Sequence, residues 1–294
     1  MDRRTLLART AVGAVGVGIG IRSGALERQG QAAQEQAVAG LPGGPLACQV
    51  IWSVPTSEPL VALTFDDGPD PEFTPRILAV LARYGVRATF NVMGWNAVRH
   101  AGLLRAVAGA GHELGNHTWT HEDLTFQSPA ATSSQLERGR HAIETVAGVR
   151  PRFFRPPRGE LTGAAVRAAA DLGHDILLWS VTRGPAGVGT PAMVAGHLGS
   201  AVAPGDVVAL HDGIGRGTFD AGGRGSGLLR ARRSVEVEAL PAAIEKLLAR
   251  NLRFVTASGL AGARSLPPAA ADGGAGGTRS LGYGAAAVPR VRER

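Results

Sequence analysis

The stretch Leu60-Val61-Ala62-Leu63-Thr64-Phe65-Asp66-Asp67-Gly68-Pro69-Asp70 decides how this chain is read. An apolar run ends abruptly in two adjacent carboxylates, followed by Gly and Pro. The pattern predicts a buried strand that projects acids at a sheet rim, with a sharp turn directly after it. In α/β proteins the carboxyl ends of strands are where binding and catalytic groups collect. Two neighbouring Asp on extended backbone point in different directions, so one can hold a metal while the other handles a proton. Taken alone, Asp-Asp-Gly-Pro suits a plain turn with an Asx cap equally well, and the rest of the chain has to decide.

Downstream, short apolar runs alternate with amphipathic ones. Thr74-Pro75 predicts a helix start, with Pro suited to the first helical position. Strands are predicted at 87–92, 112–116, 152–154, 174–181, 206–210 and 252–255, and helices at 96–110, 129–146, 162–172, 191–200 and 237–250. Repeated strand–helix units imply a parallel sheet, open or closed into a barrel. The Gly-rich segment 213–227 is read as an inserted surface loop.

The 294 residues are 44% hydrophobic, enough for one domain of about 200 residues with extensions. A single cysteine, Cys48, excludes an intramolecular disulfide and a multi-Cys zinc site, so any metal must be held by His and carboxylates. The net charge is +7, and of the 31 basic residues all but Lys246 are arginine. They are scattered, apart from Arg230-Ala231-Arg232-Arg233 and the C-terminus. We read this as compositional bias, not nucleic-acid recognition.

The N-terminus, Met1-Asp2-Arg3-Arg4-Thr5-Leu6-Leu7 followed by an uncharged Gly/Ala/Val run, resembles a twin-arginine export signal. Its apolar core is too short for an ordinary transmembrane span. Residues 1–39 are assigned to this signal, with an uncleaved anchor as the alternative. Residues 40–58 read as a linker, 59–260 as the catalytic domain and 261–294 as a disordered tail.

The candidate polar groups fall at predicted strand ends: Asp66 and Asp67, His117 and His121, Arg155, and His211. Parallel strands would bring all of them to one rim. Asp67 with His117 and His121 makes a two-His, one-carboxylate set suited to a catalytic divalent metal with open positions. His-x3-His on its own is commonly polar surface; the Asp-Asp strand end and the further His strengthen the metal reading.

Four segments carry a family resemblance: Thr64-Phe65-Asp66-Asp67-Gly68-Pro69, His117-Thr118-Trp119-Thr120-His121, Arg155-Pro156-Pro157-Arg158-Gly159 and Leu210-His211-Asp212. Together, in this order, they resemble the polysaccharide deacetylase family (NodB-homology, carbohydrate esterase family 4) over roughly residues 59–260. The resemblance implies an α/β fold, a single distorted (β/α) barrel with parallel strands. It also implies metal-dependent removal of acetyl groups from sugars, usually N-acetyl groups of cell-wall or chitin-like polymers. Position by position, Asp66 resembles the general base, Asp67, His117 and His121 the metal ligands, and Arg155 the arginine that orients the base. Arg158 stands where the family often has Tyr and would offer a backbone N–H to the oxyanion. Leu210 would help shape an acetyl-methyl pocket, Trp179 would bind substrate, and His211 resembles the general acid. The implied cofactor is a divalent metal, Zn2+ foremost. The implied partner is an acetylated polysaccharide met outside the cytoplasm by a monomer with no membrane span after signal cleavage.

One departure stands out. Many family members carry an Asp-Trp pair whose Asp orients the acid histidine, whereas here no carboxylate follows Trp179 until Asp206. Asp206 lies five residues from His211 and would point to the opposite face; Asp175 lies at the wrong end of its strand. This departure keeps open a catalytically weak relative that binds wall glycan; a metal-dependent hydrolase of small amides, lacking an open groove for several sugars, is a separate alternative.

Overall fold

The computed structural model describes residues 47–215 and 224–263. The signal reading, most of the tail and part of the 213–227 segment lie outside the described residues. Nine strands fall within them: β1 (Val50–Ile51), β2 (Leu60–Asp66), β3 (Thr89–Val92), β4 (Glu113–Asn116), β5 (Phe153–Phe154), β6 (Asp175–Leu177), β7 (Val181–Thr182), β8 (Val207–His211) and β9 (Arg253–Val255). The helices are α1 (Thr74–Tyr84), α2 (Gly94–Arg99), α3 (Ala101–Gly109), α4 (Pro129–Ala147), α5 (Gly163–Asp171), α6 (Pro191–Ala201), α7 (Arg224–Ala249) and α8 (Ala257–Gly262).

Every pairing between strands is parallel, in the order β1-β6-β5-β4-β3-β2-β8-β7. The sheet curls into a half-barrel with helices around it, the distorted (β/α) barrel expected from sequence. Central β2 pairs with β8 along one edge. On its other edge Leu60–Ala62 pairs with β9 and Thr64–Asp66 with β3. Val61 to Asp66 are all buried, so both faces of β2 are covered, and strands covered on both faces do not alternate.

The outer face of β2, through Val61, Leu63 and Phe65, packs into the helix layer with Phe90, Leu114, Leu240 and Ile244. Phe65 stacks on Phe90 with ring centroids 5.1 Å apart. At the amino ends of the strands α8 closes the barrel: Ala257 and Leu260 join Ala62, Phe153, Leu177 and Val207 in a second apolar cluster. The carboxyl ends stay open and carry the polar groups. Helix starts follow local chemistry, with Ser128, Thr162 and Thr190 each accepting a hydrogen bond from the first turn.

Four expectations are corrected. The linker reading of 40–58 fails at Val50–Ile51, which pairs with Ile176 and Leu177 as β1; a two-residue strand is too short to show a period. The helix expected over 96–110 is two helices meeting at His100, whose φ −122°, ψ 45° is not helical. The strand expected over 174–181 is split into β6 and β7, because the Leu177 and Leu178 carbonyls accept hydrogen bonds from the Arg155 guanidinium. Finally, the loop expected to run to 227 gives way to α7 at Arg224, well before the expected start at 237. Gly225 and Gly227 lower helix propensity there, which is why the pattern reads as loop.

Candidate active site

Asp66 ends β2, in register with His211 on β8 and with Asn91 on β3. Its Oδ1 accepts hydrogen bonds from Arg155 Nη1 at 2.8 Å and Asn91 Nδ2 at 2.7 Å. Arg155 is completely buried and fully committed, donating also to Thr64 Oγ1 and to the Leu177 and Leu178 carbonyls. Burial alone would raise the Asp66 carboxyl. The charges of Arg155, His117 and His211 and the Asn91 bond outweigh it and hold Asp66 below its ordinary value.

Asp67 turns the other way because its backbone has φ 77°, a left-handed conformation unusual for a residue with a Cβ. Asn96 Nδ2 donates to its carbonyl at 2.8 Å and holds it there. The turn that follows requires Gly68, since a Cβ at that position would lie 1.9 Å from Asp212 Oδ2. Asp212 accepts the Gly68 N–H and a hydrogen bond from Thr74. Burial first, then the neighbouring Asp67 and Asp66 charges, push its carboxyl up to about 8, so local negative charge stays on the other two.

His117 and His121 flank a turn with two left-handed residues, Thr118 at φ 66° and His121 at φ 59°. Gln135 on α4 accepts the Trp119 and Thr120 N–H groups, and Thr118 Oγ1 accepts that of His121. Strained backbone held by such bonds is characteristic of functional sites. His117 Nδ1 donates to the Arg155 carbonyl at 2.8 Å, which leaves Nε2 facing Asp67.

Asp67 Oδ1 lies 3.5 Å from His117 Nε2 and 3.4 Å from His121 Nε2. Ligands about 2.1 Å from a tetrahedral ion are separated by about this much. Asp67 Oδ1 is also buried with no hydrogen-bond partner, an oxygen left for an electrophile. The three residues thus form a buried group whose spacing, chemistry and orphan oxygen fit a divalent cation. Burial keeps His121 neutral, with its pKa lowered to about 4, and a neutral imidazole is the form that ligates. Burial would lower His117 as well, but the neighbouring Asp67 and Asp66 carboxylates raise it; a cation would compete with that proton.

A cavity of about 210 Å³ opens above these groups, lined also by His211, Trp179, Arg158 and Leu229. Trp179 therefore reaches the site, beside the Arg155 guanidinium. Arg158 arrives with φ 57° and its half-exposed side chain pairs with Asp123 at 2.8 Å. Leu210 does not line the cavity. It is 1% exposed within the helix–sheet core, so the apolar wall is Leu229 and Trp179 instead. Strand alternation explains this: with His211 at the rim, its neighbour Leu210 must face the helices.

Two site residues escape a motif reading, and both lie on α7. Arg233 Nη2 donates to Asp67 Oδ2 at 3.1 Å, and Glu236 Oε2 lies 3.0 Å from His211 Nδ1. Asp206 and Asp175 are engaged elsewhere, with Ser180 and Arg152 respectively. The signal available was the basic run 230–233 with Glu236 three residues beyond Arg233, an i, i+3 pair. In the structure Arg230 pairs with Glu72 while Arg233 turns inward.

Fold and site together set a buried, arginine-paired carboxylate, Asp66, beside an Asp-His-His group that could hold a cation. The family model for polysaccharide deacetylase matches residues 53–177. A peptidoglycan-N-acetylglucosamine deacetylase of Bacillus cereus is 34% identical over 213 residues, covering 72% of this chain and 92% of the relative. A chitooligosaccharide deacetylase of Sinorhizobium fredii is 39% identical over 160 residues, 54% of this chain and 74% of the relative. Among solved structures, the Bc1960 peptidoglycan N-acetylglucosamine deacetylase superposes with a TM-score of 0.64 at 30% identity, covering 72% of this chain and 92% of that one. A family 4 carbohydrate esterase from Streptomyces lividans in complex with acetate gives 0.57 at 26% identity, over 68% and 93%. The chain belongs to the polysaccharide deacetylase family, and is a hydrolase that deacetylates polysaccharide.

Proposed function

We propose that this protein removes N-acetyl groups from a cell-wall or chitin-like glycan, peptidoglycan or its oligomers foremost, outside the cytoplasm and with zinc held by Asp67, His117 and His121. The observation that carries the reading is the division between adjacent aspartates. Asp66 is hydrogen-bonded through Oδ1 to Arg155 and Asn91, while Asp67 keeps a buried oxygen without a partner 3.4 Å from one imidazole nitrogen and 3.5 Å from another. A divalent ion held by Asp67, His117 and His121 would supply Lewis acidity, polarising the acetyl carbonyl and acidifying water.

The chain's own groups do the rest. Asp66, ionised by its partners, takes the proton of the attacking water. Arg155 fixes the carboxylate that must accept it. His211 stands across the cavity, about one-quarter exposed, and delivers a proton to the departing amine. Trp179 and Leu229 give the acetyl group and sugar ring an apolar wall. The backbone at Arg158, not its side chain, is the oxyanion donor in this reading. Export follows from the twin-arginine-like N-terminus and from substrates that lie in the wall; among the described residues no helix is long and apolar enough to cross a membrane. The weak-relative reading rested on an acid histidine without a carboxylate, and Glu236 removes that ground.

The test is acetate release from N-acetylglucosamine oligomers and from peptidoglycan, with a chelator control and zinc add-back. Chelator-sensitive release restored by zinc is expected. Release that persists in excess chelator would refute the metal role, and release from small amides but neither polymer would refute the substrate.

A further inference from the structure

The acid histidine is held by a residue outside the four motifs. Two hydrogen bonds converge on one oxygen: the His211 backbone N–H donates to Glu236 Oε2 at 2.9 Å, and the ring Nδ1 lies 3.0 Å from the same atom. The other oxygen, Oε1, is 3.2 Å from Arg183 Nε and 3.3 Å from Arg233 Nη1. Glu236 is 2% exposed, Arg183 3% and Arg233 5%. Three buried charged groups at one point are costly unless each is paired, and here each is.

Arg183 follows β7 directly, in the segment where a carboxylate on the acid histidine is missing. It is anchored by donating to the carbonyls of Pro185, Gly187 and Val188. The segment thus supplies a cation instead of an acid, and the cation holds an acid that comes from α7. Arg233, one helical turn before Glu236, runs on to Asp67 Oδ2.

We propose that Glu236 is the positioning residue for the general acid His211, with Arg183 and Arg233 fixing the carboxylate, and that α7 thereby aligns the acid with the cation site. This rests on the deacetylase reading above. Burial would raise the Glu236 carboxyl, but His211, Arg233 and Arg183 outweigh it and hold it below its ordinary value. An ionised carboxylate only accepts, so the Nδ1 facing it carries a proton. The ring's orientation is then fixed, with Nε2 turned to the cavity. There the ring, doubly protonated when it acts as the acid, gives its Nε2 proton to the amine nitrogen as the C–N bond breaks and is left neutral with Nδ1–H, while the proton of the attacking water passes to Asp66.

The test uses the zinc-loaded full chain with Glu236→Gln and Glu236→Asp, on two substrates. N-acetylglucosamine oligomers lose an amine that must be protonated; 4-nitrophenyl acetate loses a phenolate that need not be. Glu236→Gln is expected to lower kcat on the oligomers at least about 10-fold with KM little changed, and ester turnover by less than about 3-fold. Glu236→Asp is expected to recover part of the loss. Equal losses on both substrates would make Glu236 merely structural, and undiminished oligomer turnover would remove it from the site.

A second readout is independent of turnover. The proton NMR spectrum should show a protected imidazole N–H that disappears in both His211→Asn and Glu236→Gln. Its absence from the unaltered protein, or survival in Glu236→Gln, overturns the assignment. If the resonance behaves as expected but no glycan is deacetylated, the deacetylase reading falls and the Glu236–His211 pair stands.

Discussion

The two walls of the cavity are built differently. One is made of strand ends: Asp66, Asp67, His117, Arg155 and His211 lie on β2, β4, β5 and β8 or one residue past them. Register fixes them, since Asp66 sits opposite Asn91 on one side and His211 on the other. The second wall is one face of α7, which lines the cavity with Leu229 and Arg233 and sets Glu236 behind His211. The strand wall carries the groups that, in the proposed reading, exchange protons or ligate. The helix wall carries groups that touch those groups: Arg233 on Asp67, Glu236 on His211. The difference teaches that sheet register places the reacting atoms and the helix sets their charge and tilt, so damage to the two walls should differ in kind.

The largest effects belong to the strand wall. Asp66→Asn is expected to lower turnover at least about 1,000-fold by removing the base, leaving bound metal in place. His121→Ala is expected to lose both metal and activity, read by metal analysis beside acetate release; retention at ordinary affinity would remove it from the ligand set. The helix wall should respond less. Arg233→Met leaves Asp67 Oδ2 without its cation and is expected to weaken zinc affinity about 10- to 100-fold, measured by competition with a chromogenic chelator. An unchanged affinity would confine α7 to His211. Smaller still is Arg158→Ala. Its half-exposed pair with Asp123 contributes within about 1 kcal/mol, and thermal stability and turnover should scarcely move if only its backbone serves the site.

Away from both walls, His112 and His174 are buried at the sheet's other levels. Burial holds each near pKa 4. The Ala88 N–H donates to His112 Nδ1, which a neutral ring accepts. Their folded pKa lies below the unfolded value, so the unfolded chain binds more protons and stability must fall as pH falls. Between about pH 6.5 and 4 each contributes up to about 1.4 kcal/mol of lost stability per pH unit. Urea midpoints across that range should show the slope, and His174→Gln should reduce it.

The contrast between the walls also explains what the sequence made legible. Strand-end groups could be read because a buried parallel strand is an unmistakable apolar run, and Asp66-Asp67, His117 and His211 each terminate one. The short strands β1 and β7, two residues each, carry no such signal. The start of α7 was hidden by its glycines, and with it Arg233 and Glu236, whose partners lie 166 and 25 residues away in the chain. The departure after Trp179 did point to a vacancy beside His211, and the fold fills it from residues 228–236, which lie between the expected loop and the expected helix start. Leu210 misled for the opposite reason. It was placed in the cavity by resemblance, when its position next to His211 on a strand turns it to the core.

The division of labour between the adjacent aspartates is tested most directly by metal affinity, without any turnover. Zinc titration of metal-free Asp66→Asn and Asp67→Asn should give ordinary affinity for the first and a loss of at least about 100-fold for the second. The reverse pattern, with Asp67→Asn binding and Asp66→Asn not, would contradict the account, because the ligand and the base would then have exchanged places.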